Sequence, residues 1–167
     1  AGENCSVIHA HINNPELVQF IQDYYCYCDA GVPLLFTENE TNKERLFGQP
    51  NDSPYVKDGI NNYIVYGQQG AVNPNQTGTK VSPHFQLMVG AGETAELQLR
   101  LTKQPPEQVG YPFGEYFDQT FAARLREADE FYATVIPPAV QADPDRANVM
   151  RQALAGMMWT KQYFYYD

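Results

Sequence analysis

Within the run 93–102, apolar and polar residues alternate strictly from Ala95 to Thr102. Ala95, Leu97, Leu99 and Leu101 fall on one side, and Glu96, Gln98, Arg100 and Thr102 on the other. A period of two sustained over that length predicts a strand with one face in a core and the other in water. Upstream, five shorter runs also read as strands: 5–12, the Tyr-rich 20–28, the fully apolar PLLFT at 33–37, YIVYG at 63–67 and PHFQLMV at 83–89. Gly90-Ala91-Gly92 separates the last two runs and predicts a hairpin turn. Many short strands joined by Gly-, Asn- and Pro-rich loops predict an antiparallel β-sandwich over residues 1–103.

Past residue 103 the period changes. Residues 104–112 form a linker in which Pro105-Pro106 speaks against both helix and central strand. Phe117, Phe121, Leu125, Ala128, Tyr132 and Val135 then share one stripe of a helix spanning about 114–135. Pro137-Pro138 ends it. A second helix opens with Asp143 as N-cap, Pro144 at the first helical position and Asp145 in the first turn. It places Met150, Leu154, Met157 and Lys161 on one side, with Ala153 and Gly156 small on a flank. No Gly, Asn or Pro stops it, so it is expected to run into the aromatic cluster Tyr163, Phe164, Tyr165 and Tyr166. Residues 113–167 thus form a helical segment, and the fold class is β + α. Two helices of this length cannot bury all their apolar surface on each other. With Ala1-Gly2-Glu3 in place of an initiator Met, this predicts a piece of a longer polypeptide, completed by the remaining residues or by a second chain.

Composition narrows the function classes. The 167 residues carry a net charge of −9, which speaks against nucleic acid and anionic membrane surfaces as partners. No run reaches the ~18 apolar residues of a membrane span. Cys26 and Cys28 would share a strand face, where adjacent thiols are poorly placed for a mutual disulfide. With Cys5 and only His9, His11 and His84 as further ligands, reduced packed thiols in a cytoplasmic protein are expected rather than a zinc site. The N-x-S/T triplets at Asn4, Asn39, Asn51 and Asn75 are those an Asn-rich chain produces by chance. There is no Gly-rich phosphate loop, no G-x-S-x-G and no His/carboxylate cluster, so no cofactor is implied.

The stretch 36–67 is the one that folding alone explains least. A loop this long and polar is uncommon unless it binds something. Glu38, Asn39, Asn42, Arg45, Tyr55, Lys57, Asp58 and Asn61 supply amides, carboxylates, cations and a ring. Sugar hydroxyls need bidentate donors and acceptors, and sugar C–H faces need rings, so this set suits a polyol. A competing account covers 37–48: Thr37 as N-cap, Glu40 closing a capping box, and a short helix to Phe47 stopped by Gly48. Glu38, Glu40, Asp52 and Asp58 qualify by type alone for the carboxylate pair of a glycosidase. His84 reads as a sheet residue rather than a base.

Five blocks carry a resemblance: FTENETNKERLFG, SPYVKDGINNYIVYG, AVNPNQTGTK, PFGEYFDQTFAARLREADEFY and RQALAGMMWTKQYFYYD. In this order and spacing the chain, from about Leu34 to Asp167, resembles a bacterial glucosidase-type protein similar to glycoside hydrolase family 63. The resemblance implies an N-terminal β-sandwich joined by linker helices to an (α/α)6 toroid. It implies inverting hydrolysis of α-glucosidic bonds by a general acid and a general base. Those two carboxylates would lie on the toroid beyond Asp167, so no catalytic residue is expected here. The chain would supply the end of the sandwich, the linker helix and the first toroid helix, on which Lys161 and Gln162 would be candidate substrate contacts. The expected ligand is an α-glucoside. The alternative is a non-catalytic carbohydrate-binding or interaction module with 36–67 as its site.

Overall fold

The computed structural model describes residues 5–160. The chain separates into two compact units, Ala1–Pro112 and Phe113–Asp167. In the first, β1 (Cys5–Ala10), β2 (Tyr24–Asp29) and β5 (Arg100–Thr102) form an antiparallel sheet in that order. β3 (Leu34–Thr37) and β4 (Lys80–Pro83) form a second, two-stranded antiparallel sheet. Between the strands of the second sheet lie α1 (Lys43–Phe47), α2 (Gly59–Tyr66) and a 3-10 turn at Gln69–Ala71. The short α3 (Pro106–Val109) follows β5. Two antiparallel sheets with helices make this a β + α protein.

The core of this unit sits on both faces of β2 and under β3. Tyr27 and Cys28 alternate across β2 and both are buried. The Tyr27 hydroxyl donates to the Gln104 carbonyl at 2.9 Å, tying the sheet to the chain after β5. Burial pushes the Cys28 thiol up, with Cys26, Asp29 and Cys5 adding to the rise, and burial does the same at Cys26. All three cysteines are free thiols.

Thr37 closes β3 and is fully buried, yet its hydroxyl has no hydrogen-bond partner among the described residues. The chain at Gly78 lies so close that a Cβ there would stand 2.4 Å from the Thr37 carbonyl oxygen. A buried hydroxyl without a partner costs desolvation with nothing in return. Thr37→Val keeps the shape and removes that cost, so a stabilisation of about 1 kcal/mol is expected, read as a higher urea midpoint.

Several elements differ from the sequence expectation. Strand β2 starts at Tyr24, not at residue 20. Asn14-Pro15 instead starts tight turns, with the Glu16 amide donating to Asn14 Oδ1, and Phe20 is exposed. YIVYG is helix, not strand: α2 ends at Gly67, which takes the left-handed conformation (φ 66°) and stops it. The ladder expected over 83–89 ends at Pro83, and of 93–102 only residues 100–102 pair. The turn at Gly90 does close, through Glu93 N–H to Gly90 O at 3.1 Å, but its flanks form no ladder. Pro106 begins α3 rather than excluding a helix, because at the first helical position its missing N–H is not needed.

In the second unit, α4 (Glu115–Val135) has Gly114 as its N-cap, and α5 (Pro138–Gln141) leads into α6 (Pro144–Trp159). Asp143 caps α6 through Asp145 and Arg146 N–H, the start read from the sequence. Arg151 joins α6 to α4, with Nη1 2.5 Å from Asp129 Oδ1 and its guanidinium 4.8 Å from the Tyr132 ring centroid. The apolar stripes are only partly covered: Tyr132 is buried, whereas Phe121, Leu125 and Met157 are exposed. The helix does not run on as expected. Thr160 leaves it in an extended conformation (φ −75°, ψ 108°), its hydroxyl and N–H both turned back to the Gly156 carbonyl. The aromatic cluster at 163–166 lies outside the described residues. No helix among those described is long and apolar enough to cross a membrane.

Candidate functional site

Two backbone bonds bring the halves of the polar stretch together. Glu38 N–H donates to Tyr55 O at 2.8 Å, and Lys57 N–H donates to Glu40 O at 3.1 Å. This stitch sets Asn42, at the end of the first half, beside Asp58, at the start of α2. The N-cap of α1 is Asn42, not Thr37: its Oδ1 accepts from Arg45 N–H at 3.0 Å, while Thr37 is spent in β3. Gly48 ends α1 in the left-handed conformation (φ 64°), as the sequence signals.

A network follows from these placements. Asn42 Nδ2 donates to both carboxylate oxygens of Asp58 at 3.2 Å, and Arg45 Nη1 lies 3.2 Å from Asp58 Oδ2. Asp58 precedes α2 but makes no side-chain cap bond to it. Its charge still sits favourably at the helix N-terminus. Asn51 braces the arrangement: Nδ2 donates to Asn42 Oδ1 at 3.1 Å, and Oδ1 accepts from Lys43 N–H at 2.7 Å and Glu44 N–H at 3.3 Å. Lys43 pairs with Asp52, and that bond raises the Lys43 pKa.

Beside the network lies a cavity of about 320 Å³, at the small end of the range for ligand pockets. Asn42, Glu44, Asn51, Asp58, Asn62 and Gln68 bring polar side chains to its wall, with Gly59, Gly70 and Ala71 as a backbone floor. Asn42 and Asn51 are largely committed to the network. The side chains of Glu44, Asn62 and Gln68 make no hydrogen bond to any described residue, so their donors and acceptors are unspent.

Of the residues singled out from the sequence, Asn42, Arg45 and Asp58 come together, and Asn42 and Asp58 line the cavity. The others are elsewhere. Glu38 accepts from the Thr79 hydroxyl at 2.6 Å, and Asn39 N–H donates to the same hydroxyl at 2.8 Å. Lys57 reaches Thr41 Oγ1 at 3.1 Å. Tyr55 is half-buried and contributes its backbone carbonyl, and Asn61 is exposed on α2. Lys161 and Gln162 lie outside the described residues. Glu44, Asn51 and Asn62 belong to the polar stretch read from the sequence, though not to its candidate contacts, and Gln68 was not anticipated. Gln68 falls just past Gly67, the end of the polar stretch 36–67.

A second cavity, of about 420 Å³, is lined by Pro33, Tyr63, His84, Phe85, Gln86 and Leu87 with neighbouring backbone. His84 continues the β3–β4 pairing through its N–H to Pro33 O at 2.9 Å. Its ring meets Tyr63 edge-on at 6.2 Å. The sequence reading set His84 within a strand; it lies one residue past β4 and extends the pairing by that single bond. Among the described residues no group of three or more His, Cys, Asp or Glu could hold a metal.

Comparison with known proteins finds a relative in Saccharomyces cerevisiae, the uncharacterized protein YMR196W. It is 35% identical over 140 residues, covering 78% of this chain and 13% of that protein. The chain therefore spans about an eighth of the length of this relative. No family model matches the chain, and no solved structure matches it.

Proposed function

We propose that the chain is the sugar-contacting part of an inverting α-glucosidase-like glycoside hydrolase similar to family 63. In this reading its strands belong to the end of a β-sandwich and α6 is the first helix of a toroid. The catalytic acid and base lie on residues other than these, the protein acts in the cytoplasm, and the fold is completed by further polypeptide. The observation that carries the sugar-binding part is the cavity at α2. It is walled by amides and carboxylates, of which Glu44, Asn62 and Gln68 have unspent hydrogen-bonding capacity. A pyranose presents neighbouring hydroxyls that each donate and accept, which amide and carboxylate pairs match two at a time. An acidic, cation-poor wall disfavours phosphates and nucleotides.

Titration of the chain with methyl α-glucoside and maltose, followed by intrinsic fluorescence or calorimetry, tests this. Saturable binding is expected in the millimolar range, about 4 kcal/mol, as befits a small exposed site. Asn62→Ala is expected to weaken it about tenfold without lowering stability, because Asn62 spends no side-chain bond on the fold. Asp58→Ala leaves Asn42 Nδ2 and Arg45 without their acceptor and is expected to cost about 2 kcal/mol of stability as well as binding. No response to either sugar well above the millimolar range would overturn the reading at this cavity. Hydrolysis is tested separately: residues 1–167 alone should not turn over α-glucosides, and a chain extended through further helices should.

The alternative is a carbohydrate-binding module without a catalytic partner. It shares the cavity and differs in predicting binding but no turnover in any extended form.

A further inference from the structure

The strictest strand pattern in the sequence is left largely without a partner. β5 is an edge of its sheet, and among the described residues no strand lies on its outer side. The apolar row that leads into it stands in water: Leu97, Leu99 and Leu101 are 43%, 53% and 68% exposed. β5 itself is short, Arg100–Thr102, but the exposed row leading into it is a template for pairing with another strand. No Pro interrupts residues 93–103, and the charges that would blunt this edge, Glu93, Glu96, Arg100 and Lys103, are of both signs.

We propose that residues 93–103 pair antiparallel with the same residues of a second copy, about a two-fold axis at Gln98. The sequence is self-complementary in that register. Glu96 falls opposite the second copy's Arg100, and Glu93 opposite the second copy's Lys103, so the two-fold creates four opposite-charge pairs. Leu97 meets Leu99, Ala95 meets Leu101, and Thr94 meets Thr102, so each face receives a matching neighbour. A shift of one residue would place apolar side chains against the polar face, which fixes the register. Arg100 donates to the Pro112 carbonyl at 3.1 Å and to Gln104 Oε1 at 3.0 Å, which fixes its side chain. Glu93, Glu96, Leu99 and Lys103 are exposed. The pairing joins two three-stranded sheets into one of six strands.

Sedimentation of the full chain, loaded between about 5 and 500 μM, reads the monomer–dimer equilibrium by mass action. A reversible dimer is expected. Glu93→Lys sets like charges opposite each other twice and is expected to weaken association at least about tenfold. Glu93→Lys combined with Lys103→Glu is expected to restore it. Glu93 Oε2 also accepts from Gly90 N–H, a bond that both variants lose, so restoration separates strand pairing from a loosened turn. Gln98→Pro removes the central N–H outside the β2–β5 ladder and is expected to abolish the dimer while leaving the circular dichroism unchanged. A chain that stays monomeric over the whole range overturns the proposal. So does a dimer insensitive to Gln98→Pro, or one that the double charge exchange fails to restore.

Discussion

Gly59→Ala is expected to destabilise the Ala1–Pro112 unit by about 3 kcal/mol, toward the upper end of overpacking costs. Gly59 is the first residue of α2, and at an exposed helical position Ala would instead gain about 1 kcal/mol. The sign reverses here because the added Cβ would lie 2.2 Å from the Ala71 carbonyl oxygen, 3.2 Å from its carbon and 3.3 Å from Thr37 Cγ2. The nearest two of these are backbone atoms that no rotamer change can move away. Either α2 or the 3-10 turn must shift, and both line the α2 cavity. A drop in thermal midpoint of roughly 10 °C or more follows from a loss of this size. Gly70→Ala is the control. It lies on the same wall, has no atom within 4 Å of the place its added methyl would take, and is expected to be neutral within about 0.5 kcal/mol. Equal midpoints for the two variants would show that α2 and the turn are not in close contact.

The contrast between what the sequence announced and what it hid follows one physical line. Local chemistry was legible. Asp143-Pro144 starts α6, Gly48 stops α1, and the helical stripe from Phe117 to Val135 is α4. Each depends on a few neighbouring residues. YIVYG misled because β-branched and aromatic residues favour strands on average. The flanking Asp58 and the left-handed Gly67 bound eight residues that tertiary context holds as helix, with Ile60 buried and Ile64, Val65 and Tyr66 exposed. The strand patterns over 83–89 and 93–102 carried no partner, since pairing needs a second strand that no local pattern supplies. The site was half legible for the same reason. Polarity marked the stretch 36–67, but only the backbone stitch of Glu38 to Tyr55 and Lys57 to Glu40 decides that Asn42 faces Asp58 while Glu38 turns to Thr79. The glucosidase resemblance drew on longer blocks of sequence.

Tyr27 anchors the first sheet, and two substitutions separate the parts it plays. Tyr27→Ala empties a site where the side chain is 1% exposed at the centre of β2. Truncating a buried aromatic costs about 3–5 kcal/mol, a large share of the roughly 5–15 kcal/mol that holds a domain together. Loss of cooperative unfolding is expected. Tyr27→Phe keeps the ring and deletes only the hydroxyl that donates to Gln104 O, so about 1 kcal/mol is expected at pH 7. The two variants also part company in alkali. Burial pushes the Tyr27 phenol above its ordinary value of 10, Arg100 works against that rise, and Cys5, Glu107 and Tyr25 reinforce it. The folded protein therefore keeps a proton that the unfolded chain releases above about pH 10. Stability from this source is complete below the unfolded value and falls as pH climbs through the folded one. All other groups are common to both proteins, so the difference between wild type and Tyr27→Phe isolates Tyr27. Urea unfolding at pH 7, 9 and 10.5 should show the wild type's advantage constant between the first two and shrinking at the third. An advantage that grows with pH would mean that the phenol is stabilised as its anion, and the buried, hydrogen-donating Tyr27 described here would be wrong.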